Sequence, residues 1–322
     1  RTGTCSGTLV GNGNSITVSP TVTTTYFVRD SAGTIPVGSC YRKTIIVNAL
    51  PTASITPSGP TTFCAGNSVT LTAGGANNYL WSNSATTQSI NVSSSGNYFV
   101  TVTDANNCSA STSVSVTVNP LPTPSITPNG PTTFCAGNSV TLTAGGANNY
   151  LWSNSATSQS INVSSSGNYF VTVTNANNCS ASTSLSVTVN PLPTPSITSS
   201  GPTTFCAGNS VNLTASGGTS FLWSDNSTPA TLHVNASGSY TVTVTDGNGC
   251  TAEDDVDITI NTVPSVDLGA DVTQCGGSVT LDAGNAGASY AWSDNSSGQT
   301  LTVTATGNYS VTVTSNGCTA TD

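Results

Sequence analysis

Residues 50–120 and 121–191 of this chain align without a gap and differ at five positions only: Ala53/Pro124, Ser58/Asn129, Thr87/Ser158, Asp104/Asn175 and Val114/Leu185. Residues 192–262 form a more diverged copy of the same 71-residue length, and 263–322 start another, which stops just after Cys318. Residues 1–49 match only the second half of a copy: Ser15-Ile-Thr-Val18 aligns with Ser89-Ile-Asn-Val92, and Tyr26-Phe-Val28 with Tyr98-Phe-Val100. Self-similarity at a fixed period means that one supersecondary design is used over and over. The expected domains are therefore 1–49 (the C-terminal half of one), 50–120, 121–191, 192–262, and 263–322 without its last strand. Such partial end domains are expected to be completed by a longer chain or by strands donated from neighbouring copies.

Each copy has the period of a β-strand. In 50–120, Val69 and Leu71 alternate with Ser68, Thr70 and Thr72; Tyr79 and Trp81 are two apart, as are Ile90 and Val92. Tyr98, Val100 and Val102 follow, and Val114, Val116 and Val118 close the copy. Alternation over four to eight residues marks a half-buried strand. Turn signals separate the runs: Ala-Gly-Asn after Cys64, Gly74-Gly75, Ser95-Gly96 and Ala105-Asn-Asn107. Several short strands at this spacing predict an all-β, two-sheet sandwich. The connectors, Asn119-Pro-Leu-Pro-Thr-Pro124 and Asn190-Pro-Leu-Pro-Thr-Pro195, favour extended, semi-rigid geometry, so the expected array is an elongated rod.

A sandwich this small needs a staple. Ten cysteines fall at positions 5, 40, 64, 108, 135, 179, 206, 250, 275 and 318, with no CxxC and a single histidine in the chain. Structural disulfides fit this spacing and zinc does not, which places the chain outside a reducing cytosol. Cys64 precedes the Val69 strand and Cys108 follows the Tyr98 strand. With two strands between them, around Trp81 and Ile90, alternating strand directions would return Cys108 to the end of the sandwich that holds Cys64. The expected pairs are thus Cys64–Cys108, Cys135–Cys179, Cys206–Cys250 and Cys275–Cys318. Cys5–Cys40 is the preferred pair in the first domain, although Cys5 falls near the expected Trp strand.

Only 5% of residues are charged, and the net charge is −9. The four basic residues, Arg1, Arg29, Arg42 and Lys43, all lie before position 50, which leaves no patch to neutralise phosphates and argues against a nucleic-acid partner. Apolar runs fall well short of the ~20 residues that span a bilayer. The chain opens on Arg1, as expected of a mature or excised segment.

The motifs Phe-Cys-Ala-Gly-Asn-Ser-Val-Thr-Leu-Thr-Ala (63–73), Tyr-Leu-Trp-Ser (79–82), Gly-Asn-Tyr-Phe-Val-Thr-Val-Thr (96–103) and Asn-Asn-Cys-Ser-Ala (106–110) recur almost unchanged 71 residues on. They resemble the immunoglobulin-like and PKD-like repeats of large secreted cell-surface proteins of Bacteroidetes, including gliding-motility and adhesin types exported by type IX secretion. The resemblance covers essentially the whole chain. It implies a tandem array of small immunoglobulin-like sandwich domains in an exported modular protein of the bacterial surface.

Chemistry-bearing residues are few. His233 lies between inward Leu232 and Val234 and is expected to face solvent, so a catalytic nucleophile–base pair cannot be built on it. No enzyme activity is expected. The acidic group Asp246, Glu253, Asp254, Asp255 and Asp257 is the candidate calcium site, set against the plainer reading of a solvated acidic edge; no other cofactor is expected. Trp81, Trp152, Trp223 and Trp292 are expected in the core rather than as sugar-stacking platforms. Phe27, Phe99 and Phe170 each sit between inward residues, so they should face outward and could mediate lateral association. The Asn-X-Ser/Thr triplets at Asn91, Asn162, Asn212, Asn226 and Asn235, and Asp30-Ser31-Ala32, are glycosylation-like signals.

These readings point to a structural segment of an extracellular filament or adhesin stalk that self-associates. The alternative is a ligand- or carbohydrate-binding adhesin tract whose partner is a surface glycan or a host or cell-surface ligand.

Overall fold

The computed structural model describes residues 10–13, 15–29 and 40–322, and all regular elements among them are β-strands. In the first domain β1 (Thr24–Val28) pairs antiparallel with β2 (Tyr41–Ile45), placing Phe27 opposite Arg42.

The copy at 50–120 shows the design in full. Its strands are β3 (Ser54–Pro57), β4 (Thr62–Cys64), β5 (Val69–Gly74), β6 (Asn78–Trp81), β7 (Ser89–Val92), β8 (Gly96–Thr103) and β9 (Ser109–Asn119). One sheet has the order β3-β5-β7 and the other β4-β9-β8-β6. Period two decides what faces inward: Val69, Leu71 and Ala73 from one sheet meet Trp81, Val100, Val102 and Val116 from the other, all buried. Burying a side chain such as Leu71 contributes about 1.5–3 kcal/mol relative to leaving it in water. The Trp81 indole N–H is not left unpaired in that core, because it donates to the Thr87 carbonyl at 2.9 Å. Trp152, Trp223 and Trp292 donate in the same way to the carbonyl six residues on.

The strand set recurs at 121–191 as β10 (Ser125–Pro128), β11 (Thr133–Cys135), β12 (Val140–Gly145), β13 (Asn149–Trp152), β14 (Ser160–Val163), β15 (Gly167–Thr174) and β16 (Ser180–Asn190). It recurs again at 192–262 as β17 (Ser196–Ser199), β18 (Thr204–Cys206), β19 (Val211–Ser216), β20 (Ser220–Trp223), β21 (Thr231–Val234), β22 (Gly238–Thr245) and β23 (Thr251–Asn261), in sheets β17-β19-β21 and β18-β23-β22-β20. The last copy has β24 (Val279–Asp282), β25 (Ser289–Trp292), β26 (Thr300–Val303), β27 (Val311–Ser315) and β28 (Cys318–Thr321). Three- and four-stranded sheets stacked on a Trp-centred core, with the chain changing sheet between β6 and β7, make each complete copy an immunoglobulin-like sandwich. The chain packs as two compact units, Arg1–Ile126 with Ala144–Gln159 and Phe170–Ser184, and Thr127–Thr143 with Ser160–Tyr169 and Leu185–Asp322.

The cysteines pair differently from the expectation. Bonds form between Cys64 and Cys179, Cys135 and Cys250, and Cys206 and Cys318, with sequence separations of 115, 115 and 112. The first cysteine of one copy therefore bonds the second cysteine of the next. The pairs Cys64–Cys108, Cys135–Cys179, Cys206–Cys250 and Cys275–Cys318 do not form, and two features of the topology explain why.

The three-residue strand β4 pairs in parallel with the end of β9, setting Cys64 opposite Asn119, while Cys108 directly precedes Ser109 at the other end of that strand. Eleven strand residues at 3.3–3.4 Å each put the two cysteines about 35 Å apart, whereas a disulfide tolerates less than about 7 Å between Cα atoms. Strand directions also fail to alternate. β6 runs antiparallel to β8, and β7, joined to β8 by a tight connection, runs antiparallel to it as well. β6 and β7 therefore share a direction, and β8 ends at the pole opposite to the one where β5 begins. Of the remaining expected pair, Cys40 is disulfide-bonded and Cys5 lies outside the described residues.

Candidate functional site: the junctions between repeats

Each complete copy presents its two cysteines at opposite poles, held by different devices. At the C-terminal pole Cys64 ends β4, and the Ala65 N–H donates to the Asn119 carbonyl at 2.9 Å. The chain then turns through Ala65-Gly66, with the Asn67 N–H donating back to the Cys64 carbonyl at 3.2 Å. Gly66 has φ +93°, the left-handed geometry that the third position of a type II turn requires. Cys135-Ala-Gly-Asn138 and Cys206-Ala-Gly-Asn209 repeat this turn.

At the N-terminal pole the cysteine hangs from an Asx turn. The Asp104 carboxylate accepts the N–H groups of Asn106 (2.8 Å) and Cys108 (2.9 Å). Asn175 does the same for Asn177 and Cys179 at 3.0 and 3.1 Å, and Asp246 for Asn248 and Cys250 at 2.8 and 2.9 Å. The Cys250 N–H, foremost among these donors, holds the Asp246 carboxyl below its ordinary range.

Joining the two poles, the disulfide bypasses the Pro-rich connector. Between the 50–120 and 121–191 copies, Cys64–Cys179 brings the Cα atoms to 5.5 Å. The Asn175 side-chain amide adds a bond to the Pro120 carbonyl at 3.0 Å, and the Cys179 Sγ lies 4.0 Å from the Asn119 carbonyl oxygen. Between the last two copies Cys206–Cys318 is accompanied by a bond from the Asn261 side-chain amide to the Asn316 carbonyl at 2.9 Å. Cys179, Cys250 and Cys318 are fully buried. Among the described residues, Cys108 and Cys275 carry free thiols.

The acidic group does not converge. Glu253, Asp255 and Asp257 lie on the exposed face of β23, while Asp254 faces the other way and accepts the Ile197 N–H at 2.8 Å. Glu253 accepts the Thr243 hydroxyl at 2.9 Å, and Asp246 is committed to its turn. No group of three or more His, Cys, Asp or Glu side chains placed to hold a metal ion occurs among the described residues. His233 is exposed, with Nδ1 3.0 Å from the Asn212 amide oxygen. The four Trp residues are buried.

Phe27, Phe99 and Phe170 do face outward, 55%, 49% and 49% exposed. Their neighbours Leu80, Leu151 and Leu222, which the sequence did not single out, are also exposed. Leu80 stands opposite Thr101 across β6 and β8, two residues from Phe99 on the same outer face. The signal was present, since Leu80 lies between inward Tyr79 and Trp81. The apolar pair Leu80/Phe99 recurs as Leu151/Phe170, thins to Leu222/Thr241, and becomes Ala291/Ser310.

No protein-family model matches the chain, and no curated protein matches it significantly. Among solved structures, the N-terminal eight Ig domains of Down Syndrome Cell Adhesion Molecule align with 92% of this chain at 16% identity and a TM-score of 0.32. The match takes in 56% of that eight-domain chain. A three-domain I-band fragment of titin aligns over its whole length with 67% of this chain, at 16% identity and a TM-score of 0.37. A Ca2+-stabilized adhesin that helps an Antarctic bacterium bind ice aligns over 97% of its length with 85% of this chain, at 14% identity and a TM-score of 0.32. At these identities and scores the likeness says nothing about function, and the assignment of an immunoglobulin-like tandem array stands on the strand order and sheets themselves.

Proposed function

We propose that this chain is a structural repeat segment of an extracellular bacterial surface filament or adhesin stalk, supplying length and stiffness rather than catalysis. The observation that carries this reading is the disulfide at each of the three junctions from the 50–120 copy onward, which ties one sandwich to the next and leaves the connector little freedom. Disulfides belong to oxidising, extracellular compartments, and junction bonds make little sense in a chain whose domains must move independently. Near-identity of two tandem copies also supports it, because a spacer needs only its core and its junctions. From position 44 to 322 the sequence has neither lysine nor arginine, so trypsin-like proteases find no site across that span.

Self-association through the outer faces that carry Phe27, Phe99 and Phe170 is part of this reading. The pairs Leu80/Phe99 and Leu151/Phe170 place exposed apolar surface at the same position of two successive copies.

Cryo-electron microscopy of the native material tests the proposal. Continuous fibres built of laterally contacting repeats are the expected result. Isolated flexible beads with a ligand bound to one copy would overturn it. Replacing Phe99 and Phe170 by Thr, the residue at the corresponding position 241, is expected to weaken bundling without unfolding the repeats; unchanged bundling would remove these residues from the interface.

A further inference from the structure

The three disulfide loops overlap. Cys64–Cys179 encloses Cys135, and Cys135–Cys250 encloses both Cys179 and Cys206, which begins the loop to Cys318. Every peptide bond between Cys64 and Cys318 therefore lies inside at least one closed loop. The shortest covalent route between those two cysteines is not the main chain. It crosses Cys64–Cys179, follows the chain from Cys179 to Cys206, and crosses Cys206–Cys318.

That route uses 27 residue steps where the main chain uses 254. Fully extended, 27 residues reach at most about 90–97 Å and 254 residues about 840–910 Å. Most of the route is already drawn out in the folded protein: Cys179 leads directly into β16, then the Pro-rich connector, then β17 and β18, which ends on Cys206. A second route of the same kind runs from Cys108 through β9, its connector, β10 and β11 to Cys135, and crosses to Cys250. The chain thus holds two staggered covalent lines that progress by one extended strand and one connector at a time.

We propose that this array is a covalent tension-bearing tether whose length under load is set by its disulfides and not by the folding stability of its repeats. Unfolding of the 121–191 and 192–262 copies cannot lengthen it appreciably while the bridges hold, since the 179–206 stretch that bears the load is already extended and the rest of their chain lies in loops that carry none. Reduction releases that hidden length, and a single cut anywhere between Cys64 and Cys318 leaves both fragments joined. The proposal deepens the structural reading but stands on connectivity alone. Absence of fibres in the native material would count against the structural reading and leave the tether intact.

Single-molecule stretching of the full chain between handles at its two termini is the test. In reducing buffer the final contour length is expected to exceed the oxidised one by about 75 nm over the Cys64–Cys318 span alone, from 227 residue steps released at 3.3–3.6 Å each. In the oxidised chain no unfolding step of about 24 nm, the length of a whole 71-residue repeat, should arise from the two middle copies. Cys206→Ser leaves as the shortest route the 44 residue steps from Cys179 back to Cys135 and the 68 from Cys250 to 318, so it should lengthen the oxidised chain by about 30 nm. A gain of about 15 nm, the 44 residue steps of a loop closed within one repeat, would overturn the proposal. So would full-length repeat steps in the oxidised protein.

Discussion

The two poles of a single repeat hold chemically identical cysteines by unlike means. At the C-terminal pole Cys64 is the last residue of a strand in parallel pairing with β9, and a glycine turn follows it. At the N-terminal pole Cys108 hangs from the side chain of Asp104 in a loop. The first device fixes a backbone position on the sheet and the second presents a side chain beyond it. Eleven residues of strand between them make a bond within the repeat unreachable; Cys64 bonds the neighbouring repeat instead, and Cys108 keeps a free thiol. Where the parallel strand is missing, as in the copy from 263 onward, Cys275 is exposed and carries a free thiol.

The largest effect should come from removing the bond that joins the poles. Cys64→Ser together with Cys179→Ser opens a 115-residue loop and is expected to cost about 3–5 kcal/mol by the chain-entropy account, read as a lowered denaturation midpoint. Were each cysteine bonded within its own repeat, the same double change would break both Cys64–Cys108 and Cys135–Cys179, and its cost would approach the sum of the two single changes instead of equalling either one.

Glycine substitutions separate the poles next. Gly75, at the N-terminal pole, has φ +109°, and a Cβ there would collide with the Thr52 carbonyl. Gly75→Ala is expected to cost about 2–4 kcal/mol from strain and displacement together. Gly66, at the C-terminal pole, has φ +93° with open space where a Cβ would sit, so Gly66→Ala should cost only the backbone term of about 1–2 kcal/mol. Equal losses by thermal denaturation would show that the two poles are not differently constrained.

Smaller effects separate one junction from another. Asn175 both holds the Cys179 turn and donates to the Pro120 carbonyl, which Asp104 and Asp246 cannot do. Asn175→Asp keeps the turn and loses the donor, at about 0.5–1.5 kcal/mol; Asn175→Ala loses both and should cost more. An Asn175→Asp protein that melts like the parent would place no weight on the junction bond. The smallest effect is on pH. Because the Asp246 carboxyl is held below its ordinary range, its turn contributes stability above the unfolded-state value of about 4 and loses it as pH falls through the lower folded value. Acid titration of the Cys250 amide resonance should show this transition, while the Cys179 amide, held by Asn175, should show none.

Much of this molecule can be read in its sequence. Alternation placed Val69, Leu71, Trp81, Val100 and Val102 inward and Phe99 and Phe170 outward, and the sandwich follows from the spacing of those runs. The disulfide connectivity escaped for physical reasons. Thr62-Phe63-Cys64 is too short to display a period, and nothing local shows that it pairs in parallel with residues more than fifty positions away. The connection between Trp81 and Ser89 looks like an ordinary turn, although it moves the chain to the other sheet without reversing it and so spoils any count of strand directions. The acidic residues look clustered in sequence, but the pleat of β23 sends Asp254 to one face and its neighbours to the other.

The pairing of Cys206 tests the account most directly, because the 50–120 and 121–191 copies are too alike around Cys64 and Cys135 for their peptides to be told apart. Non-reducing digestion with a protease that does not depend on lysine or arginine, followed by mass spectrometry, should yield the Cys206 peptide joined to the one containing Cys318. Recovery of Cys206 joined to Cys250 would contradict the account, returning the bonds to the interior of each repeat and leaving the junctions to their proline connectors alone.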